Sequence, residues 1–187
     1  MREKKMNTRD VVLTGMLTAV LAVMSQISIP LPSGVPITLQ TFGVALCGAV
    51  LGWKLGTIAV FAYVLLGMVG APVFAGFQGG IAILLGKTGG FIWGFIIMAL
   101  LCGAAQSMKN KCLASLVGIA GLAIDHILGV VGFAILTGVG LKQSFLLVSL
   151  PFLLKDIISV LGAFAIAAIL HKQLLAANLF GVQEKKL

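Results

Sequence analysis

The chain has 187 residues, of which 60% are hydrophobic and 10% charged, with five acidic and thirteen basic side chains. So few charges cannot cover the surface of a soluble domain, so the composition excludes that class and indicates a membrane protein. The net charge of +8 does not indicate nucleic-acid binding, because the bases fall mostly at the two ends and in short connections between apolar runs.

Six apolar runs predict six transmembrane helices in a single domain that spans residues 1–187. The second run is shorter than the ~20 residues that cross a bilayer squarely, so protein or a membrane-buried loop must shield it. We therefore expect an all-α integral membrane protein. The runs cover residues 11–29, 38–52, 55–70, 89–107, 113–139 and 145–170.

The first run carries two small residues four positions apart, Gly15 and Ala19, on one helical face. Such spacing lets two membrane helices approach each other closely. The face can pack within the chain or dock against another membrane subunit, and the sequence leaves both interpretations open.

Two connections on the same side of the membrane are rigid and apolar. Residues 30–40 hold three of the five prolines, and residues 71–90 are rich in glycine but still apolar. Irregular apolar backbone is tolerated at membrane depth only where it is buried in protein or lines a cavity. We expect these extracellular loops to cap a small ligand cavity near the outer face.

Two other motifs contain residue types that can bind nucleotides or catalyse reactions. Gly86-Lys87-Thr88 resembles the end of a phosphate-binding loop, but Ile81 stands where that motif needs a glycine, so nucleotide binding is not predicted. Asp125 and His126 interrupt the fifth run without a nucleophile signature beside them. An interhelical contact or a partly wetted patch is favoured there over a catalytic dyad.

Lys155 and Asp156 form the more informative polar pair. They follow Pro151, which suits a first helical turn, so they lie one to two turns from the outer end of the sixth run. A charge within the membrane costs about 2.5–3.5 kcal/mol and normally faces a cavity or a partner. The pair is either an ion pair that neutralises itself at the helix end or a polar recognition site for a ligand.

The positive charges predict the orientation. With the N-terminus inside, ten bases fall on the inner side, only Lys87 and Lys142 lie in outer connections, and Lys155 lies within the sixth run. Five or seven spans would spoil this agreement, so we expect six spans with cytoplasmic N- and C-termini. The inner bases are Arg2, Lys4, Lys5, Arg9, Lys54, Lys109, Lys111, Lys172, Lys185 and Lys186.

Three segments carry a resemblance to a known family. VPITLQ at 35–40, LGMVGAPVFAGFQGG at 66–80 and GKTGGFIWGF at 86–95 resemble the BioY family, the biotin-specific capture subunits of energy-coupling factor (ECF) importers. The resemblance implies a six-helix bundle, multi-pass in the bacterial plasma membrane, that binds biotin from outside without a cofactor. It also implies a transmembrane coupling subunit, which Gly15 and Ala19 would meet, and two ATPase subunits, so the chain itself is not an enzyme.

The chain departs from that family pattern at the cationic positions. Asp156 matches an acid of the sixth helix, but Ser159 occupies the position where the family carries lysine, and Lys155 precedes the acid. Lys87 stands where a proline usually precedes the TGG turn. We expect Lys87 or Lys155 to pair with the biotin carboxylate.

The resemblance leads to a predicted binding set. Asp156 would accept from the ureido N–H groups, and a polar side chain from the outer loops would satisfy the ureido carbonyl, while aromatic rings would wall the ligand. The predicted set is Thr38, Gln40, Tyr63, Phe74, Gln78, Lys87, Lys155 and Asp156.

Three alternatives to biotin capture stay open. The first is capture of another vitamin, such as thiamin or riboflavin, although one Tyr and two Trp do not favour a riboflavin pocket. The second is a membrane enzyme that uses Asp125, His126 or Asp156. The third is a self-sufficient small transporter that works as an oligomer.

Overall fold

The computed structural model describes residues 7–176, and it is all-helical in its membrane region. Five helices are long and apolar enough to cross a membrane. They are α1 (Thr8–Gln26), α2 (Gln40–Met68), α4 (Gly89–Gln106), α5 (Lys111–Thr137) and α7 (Leu150–Ala176). The shorter elements are β1 (Ser28–Ile29), β2 (Ile37–Thr38), α3 (Ile81–Leu84) and α6 (Leu141–Val148).

Helix α4 packs between α2 and α5 at the centre of the bundle, and glycines make this packing close. Gly48 of α2 lies against the backbone of Gly103, and Gly90 lies against the carbonyl oxygen of Leu128 on α5. A side chain at these positions would collide with the neighbouring backbone, so the glycines permit the short helix separation. Phe91, Ile92 and Phe95 of α4 line the cavity described below.

Helix α2 reverses direction at Gly52, whose φ of 77° and ψ of 177° are not helical. A Cβ built at Gly56 would lie 2.7 Å from the Cα of Gly48, although a straight helix separates these residues by ~12 Å. Gln40 and Tyr63 are hydrogen-bonded although they are 23 residues apart. The predicted runs 38–52 and 55–70 therefore correspond to two arms that fold back on each other.

We expect Gly52→Ala to destabilise the protein, because this combination of φ and ψ is accessible essentially to glycine alone and strain there costs ~1–3 kcal/mol. Thermal unfolding in detergent should show a lower midpoint than the natural protein. Gly140→Ala is the matched control, since Gly140 has φ −58° and open space around its Cα. Equal midpoints for both variants would contradict the prediction.

The outer loops contain more regular structure than the sequence predicts. Strands β1 and β2 form an antiparallel hairpin with Ser28 opposite Thr38 and Ile29 opposite Ile37. The second loop is pinned by a bridge between Phe74 and Gln78, and it includes the four-residue helix α3. Backbone groups in these loops pair with each other, as buried N–H and C=O groups generally do. The expected all-α fold therefore holds for the spans but not for the cap.

The predicted sixth run, 145–170, is divided in the structure. Helix α6 ends at Val148, Ser149 leaves the helical conformation with φ −127°, and α7 begins at Leu150. Pro151 has no N–H to donate to an earlier carbonyl, so it ends the first helix and suits the first turn of the next. Lys155 and Asp156 thus follow the start of α7 by about one and a half turns.

Candidate functional site

A cavity of about 410 Å³ lies beneath the two outer loops. This volume is within the range of sites that enclose small organic ligands. The hairpin contributes Leu31, Val35 and Pro36 to its lining, and the second loop contributes Phe74 and Gln78. The apolar part of its wall includes Phe91, Ile92, Phe95 and Phe152. The predicted cap over a small site is therefore confirmed as a cavity with an apolar lining.

Lys155 and Asp156 line this cavity and are tied to the elements around it. Lys155 Nζ forms an ion pair with Asp156 Oδ1 and donates a 2.6 Å hydrogen bond to the carbonyl oxygen of Thr38. The Lys155 side chain keeps 29% of its surface exposed, whereas that of Asp156 keeps 5%. The pair turns inward rather than toward headgroups, and it joins α7 to the hairpin.

His126 holds the other oxygen of Asp156. Its Nε2 lies 3.3 Å from Asp156 Oδ2, and its Nδ1 lies 2.7 Å from the Ser149 hydroxyl oxygen. A neutral ring that donates from Nε2 to the carboxylate accepts from the serine hydroxyl at Nδ1. The interhelical contact predicted for this pair is confirmed for His126, which joins α5 to α7. This arrangement fixes the position of the Asp156 carboxylate.

Thr38 and Gln40 bring a polar edge to the same cavity, where α2 begins below the hairpin. Gln40 Nε2 donates to the Tyr63 hydroxyl at 2.5 Å, and that hydroxyl donates to the Val73 carbonyl oxygen at 3.0 Å. Thr38 Oγ1 lies 3.4 Å from Gln40 Oε1. This chain of contacts holds the Gln40 amide in one orientation at the cavity.

Tyr63, which the sequence predicts to wall the ligand, does not line the cavity. Its side chain is fully buried behind Phe74, and the two rings meet edge to face with centroids 5.5 Å apart. Phe74 takes the position at the cavity because it is carried by the second loop, whereas Tyr63 belongs to the helix behind it. Tyr63 supports Phe74 and Gln40 from outside the site.

Lys87 lies outside the cavity lining, on the rim of the cap. Its side chain is exposed and runs beside Gly34 of the hairpin, so a Cβ at Gly34 would lie 3.7 Å from Lys87 Nζ. Of the two lysines predicted to meet a carboxylate, only Lys155 therefore reaches the cavity. Lys155 has three N–H donors, and the two contacts described above leave one for a ligand.

The second loop is anchored to the end of α1 by polar contacts. Ser25 donates to the Val73 carbonyl oxygen, and Gln26 Nε2 donates to the carbonyl oxygens of Val73 and Phe74, each at 3.2 Å. Gln26 Oε1 accepts from the Phe77 N–H at 2.8 Å. These bonds hold Phe74 and Gln78 over the cavity.

The lining residues that the predicted set lacks include Thr41, Phe91, Phe95 and Phe152. Phe152 precedes Asp156 by four residues, which places both on one helical face, and Phe91 and Phe95 have the same spacing. This four-residue spacing is the sequence signal that could have identified these aromatic residues as part of the lining. Asp125, for which the sequence predicts an interhelical contact or a partly wetted patch, packs against Gly94 of α4 and also lines the cavity.

Gly15 and Ala19 are exposed on the outer face of α1, whereas Thr14 and Thr18 on the same helix are buried. Nothing in the described part of the chain lies within 4 Å of a Cβ built at Gly15. Packing within the chain, one of the two interpretations of this small-residue face, is therefore wrong for Gly15. The face is open to a neighbour in the membrane.

Known proteins resemble the chain over most of its length. The biotin transporter BioY of Thermotoga maritima is 49% identical over 125 residues, covering 65% of this chain and 72% of the relative. The biotin transporter BioY of Rhodobacter capsulatus is 36% identical over 166 residues, covering 81% and 87%. The crystal structure of the S-component for biotin from an ECF-type ABC transporter superposes with a TM-score of 0.82 at 25% identity, covering 92% of this chain and 95% of that one. Residues 1–176 match the BioY family, and the chain belongs to that family.

Proposed function

We propose that this chain captures biotin at the outer face of the membrane as the S component of an ECF-type importer. The observation that carries the proposal is the cavity beneath the two outer loops, into which the Lys155–Asp156 pair is turned. Two relatives in this family are named biotin transporters, and the solved structure with the same fold is an S-component for biotin.

The side chains that line the cavity are chemically complementary to the carboxylate, the ureido group and the rings of biotin. Lys155 can pair with the carboxylate of the ligand, while Asp156 holds the lysine in place. Thr38, Gln40 and Gln78 offer donors for the ureido carbonyl, and Phe74 covers the bicyclic ring. An apolar enclosure strengthens each polar contact because it excludes water. The sequence assigned the ureido N–H groups to Asp156, but both of its oxygens already face partners.

The chain is a multi-pass protein of the plasma membrane. We infer six crossings, with the two arms of α2 counted separately and both termini in the cytoplasm. The unequal distribution of lysine and arginine supports this orientation. Of the inner bases, Arg2, Lys4, Lys5, Lys185 and Lys186 lie outside the described residues. In this orientation the cavity opens to the exterior.

We propose that transport requires partner subunits. A transmembrane coupling subunit would meet the open α1 face at Gly15 and Ala19, where small side chains allow close approach. Two ATPase subunits would supply ATP hydrolysis, and the chain itself would need no cofactor. Its role would be capture and release of the vitamin rather than catalysis.

Isothermal titration of the detergent-purified protein with biotin tests the function. We expect saturable one-to-one binding of biotin and at least tenfold weaker binding of biotin amide, whose masked carboxylate cannot pair with Lys155. Thiamin and riboflavin serve as controls and should release no heat of binding. Failure of a folded protein to bind biotin, or preferential binding of either control vitamin, contradicts the proposal.

A further inference from the structure

Asp125 places a second buried carboxyl group at the cavity. It lies in the middle of α5, keeps 1% of its surface exposed and belongs to the cavity lining. Gly94 of α4 packs directly against it, and a side chain at position 94 would collide with Asp125 Oδ1. The carboxyl group is therefore held between α4 and the cavity, away from lipid.

Asp125 Oδ1 has no hydrogen-bond partner within residues 7–173. Buried polar atoms without a partner are rare in folded proteins, because each one costs free energy that a hydrogen bond would recover. In the same part of the chain, Asp156 Oδ1 also makes no hydrogen bond, but it forms an ion pair with Lys155 Nζ, and His126 Nε2 lies 3.3 Å from Asp156 Oδ2. Asp125 is therefore the carboxyl group at this cavity whose Oδ1 has neither a hydrogen bond nor an ion pair among the described residues.

We propose that Asp125 is a ligand-binding residue whose carboxyl group accepts a hydrogen bond from a ureido N–H of biotin. This inference rests on the proposed function and gives Asp125 the role that the sequence assigned to Asp156. The lining next to Asp125 on α4 is apolar, with Phe91, Ile92 and Phe95. An acceptor among apolar and aromatic side chains suits a compact ring that carries N–H groups at its edge. Lys155 and Asp156 remain free to serve the carboxylate end of the ligand.

The test is titration of Asp125→Ala and Asp125→Asn with biotin and with two analogues methylated at one or the other ureido nitrogen. We expect Asp125→Ala to bind biotin at least tenfold more weakly than the natural protein. One N-methyl analogue should bind the natural protein poorly, and its affinity should not fall further in Asp125→Ala, because the bond is already lost. Asp125→Asn, which keeps the shape of the side chain, should lose at least threefold because an amide oxygen is a weaker acceptor.

Thermal unfolding without ligand distinguishes binding from structure. We expect Asp125→Ala and Asp125→Asn to unfold no earlier than the natural protein, since Asp125 Oδ1 makes no hydrogen bond within the described residues. Thr137→Val on the same helix is the control, and it should leave all affinities unchanged.

If the natural protein binds biotin, either of two results contradicts the role of Asp125 and leaves the proposed function standing. One is biotin affinity within twofold of the natural protein in both folded variants. The other is an equal loss in Asp125→Ala for biotin and for both methylated analogues. Absence of biotin binding by the natural protein overturns the proposed function, and the role of Asp125 with it.

Discussion

Replacing Asp156 with alanine should weaken biotin binding by at least a hundredfold. Its carboxylate holds Lys155 on one side and His126 on the other, and it keeps only 4% of its surface exposed. Removal of one member of a buried charged pair costs ~3–5 kcal/mol, and a factor of a hundred corresponds to about 2.8 kcal/mol. The loss would reach the ligand through Lys155, which would no longer be held at the cavity.

A positioning role for Asp156 has a signature that titration can detect. Asp156→Ala should lose much of the preference for biotin over biotin amide, because the mispositioned lysine no longer recognises the carboxylate. Asp156→Asn keeps the shape and should lose less affinity than the alanine variant. Asp10→Ala, which removes a carboxylate at the start of α1, is the control and should bind normally. Near-normal affinity in folded Asp156→Ala would remove Asp156 from the site.

The spans were predictable because each apolar run must be long enough to satisfy its backbone within the bilayer. The predicted run 38–52 ends at Gly52, where α2 reverses. The hairpin of β1 and β2 was not predictable in the same way. Its register depends on pairing between residues eight and ten positions apart, and β1 and β2 are each only two residues long. Such short pairings leave no periodic signal in the sequence.

The polar part of the site was more predictable than its apolar part. Lys155 and Asp156 interrupt an apolar helix, and the cost of a charge in the membrane singles them out. An aromatic residue in a membrane helix has no comparable energetic cost on either side of the helix, so its four-residue spacing was the only sequence signal that Phe91 or Phe152 faces the cavity. For the same reason, the sequence did not show that Tyr63 lies behind Phe74 instead of beside the ligand.

The cost of a charge in the membrane singled out Asp125, but the sequence left open whether it makes an interhelical contact or lies at a partly wetted patch. The buried positions of α5 include Gly121, Asp125 and Gly129, which are four residues apart and share one helical face. Glycines along that face let α4 approach, so a carboxyl group between them lies at a helix interface unless the interface opens into a cavity. Only the three-dimensional arrangement shows that it opens here.

Lys155→Met should abolish most of the discrimination between biotin and biotin amide, whereas Lys87→Met should preserve it. Lys155 Nζ lies at the cavity on Asp156 and the Thr38 carbonyl oxygen, and it retains one N–H for the ligand. A hydrogen bond to a charged group contributes about 1.5–3 kcal/mol, which corresponds to roughly 10- to 150-fold in affinity. Lys87 is exposed on the rim and supplies no comparable bond.

Titration of both variants with both ligands forms a double-mutant cycle that isolates the carboxylate contact. Lys155→Met also leaves Asp156 without its cation, so part of its effect falls equally on biotin and on the amide and cancels in the cycle. The remaining coupling between Lys155 and the carboxylate should be at least tenfold, and that for Lys87 should be less than twofold. The opposite result, with the coupling on Lys87, would mean that the cap closes further over the bound vitamin and brings the rim lysine to its carboxylate.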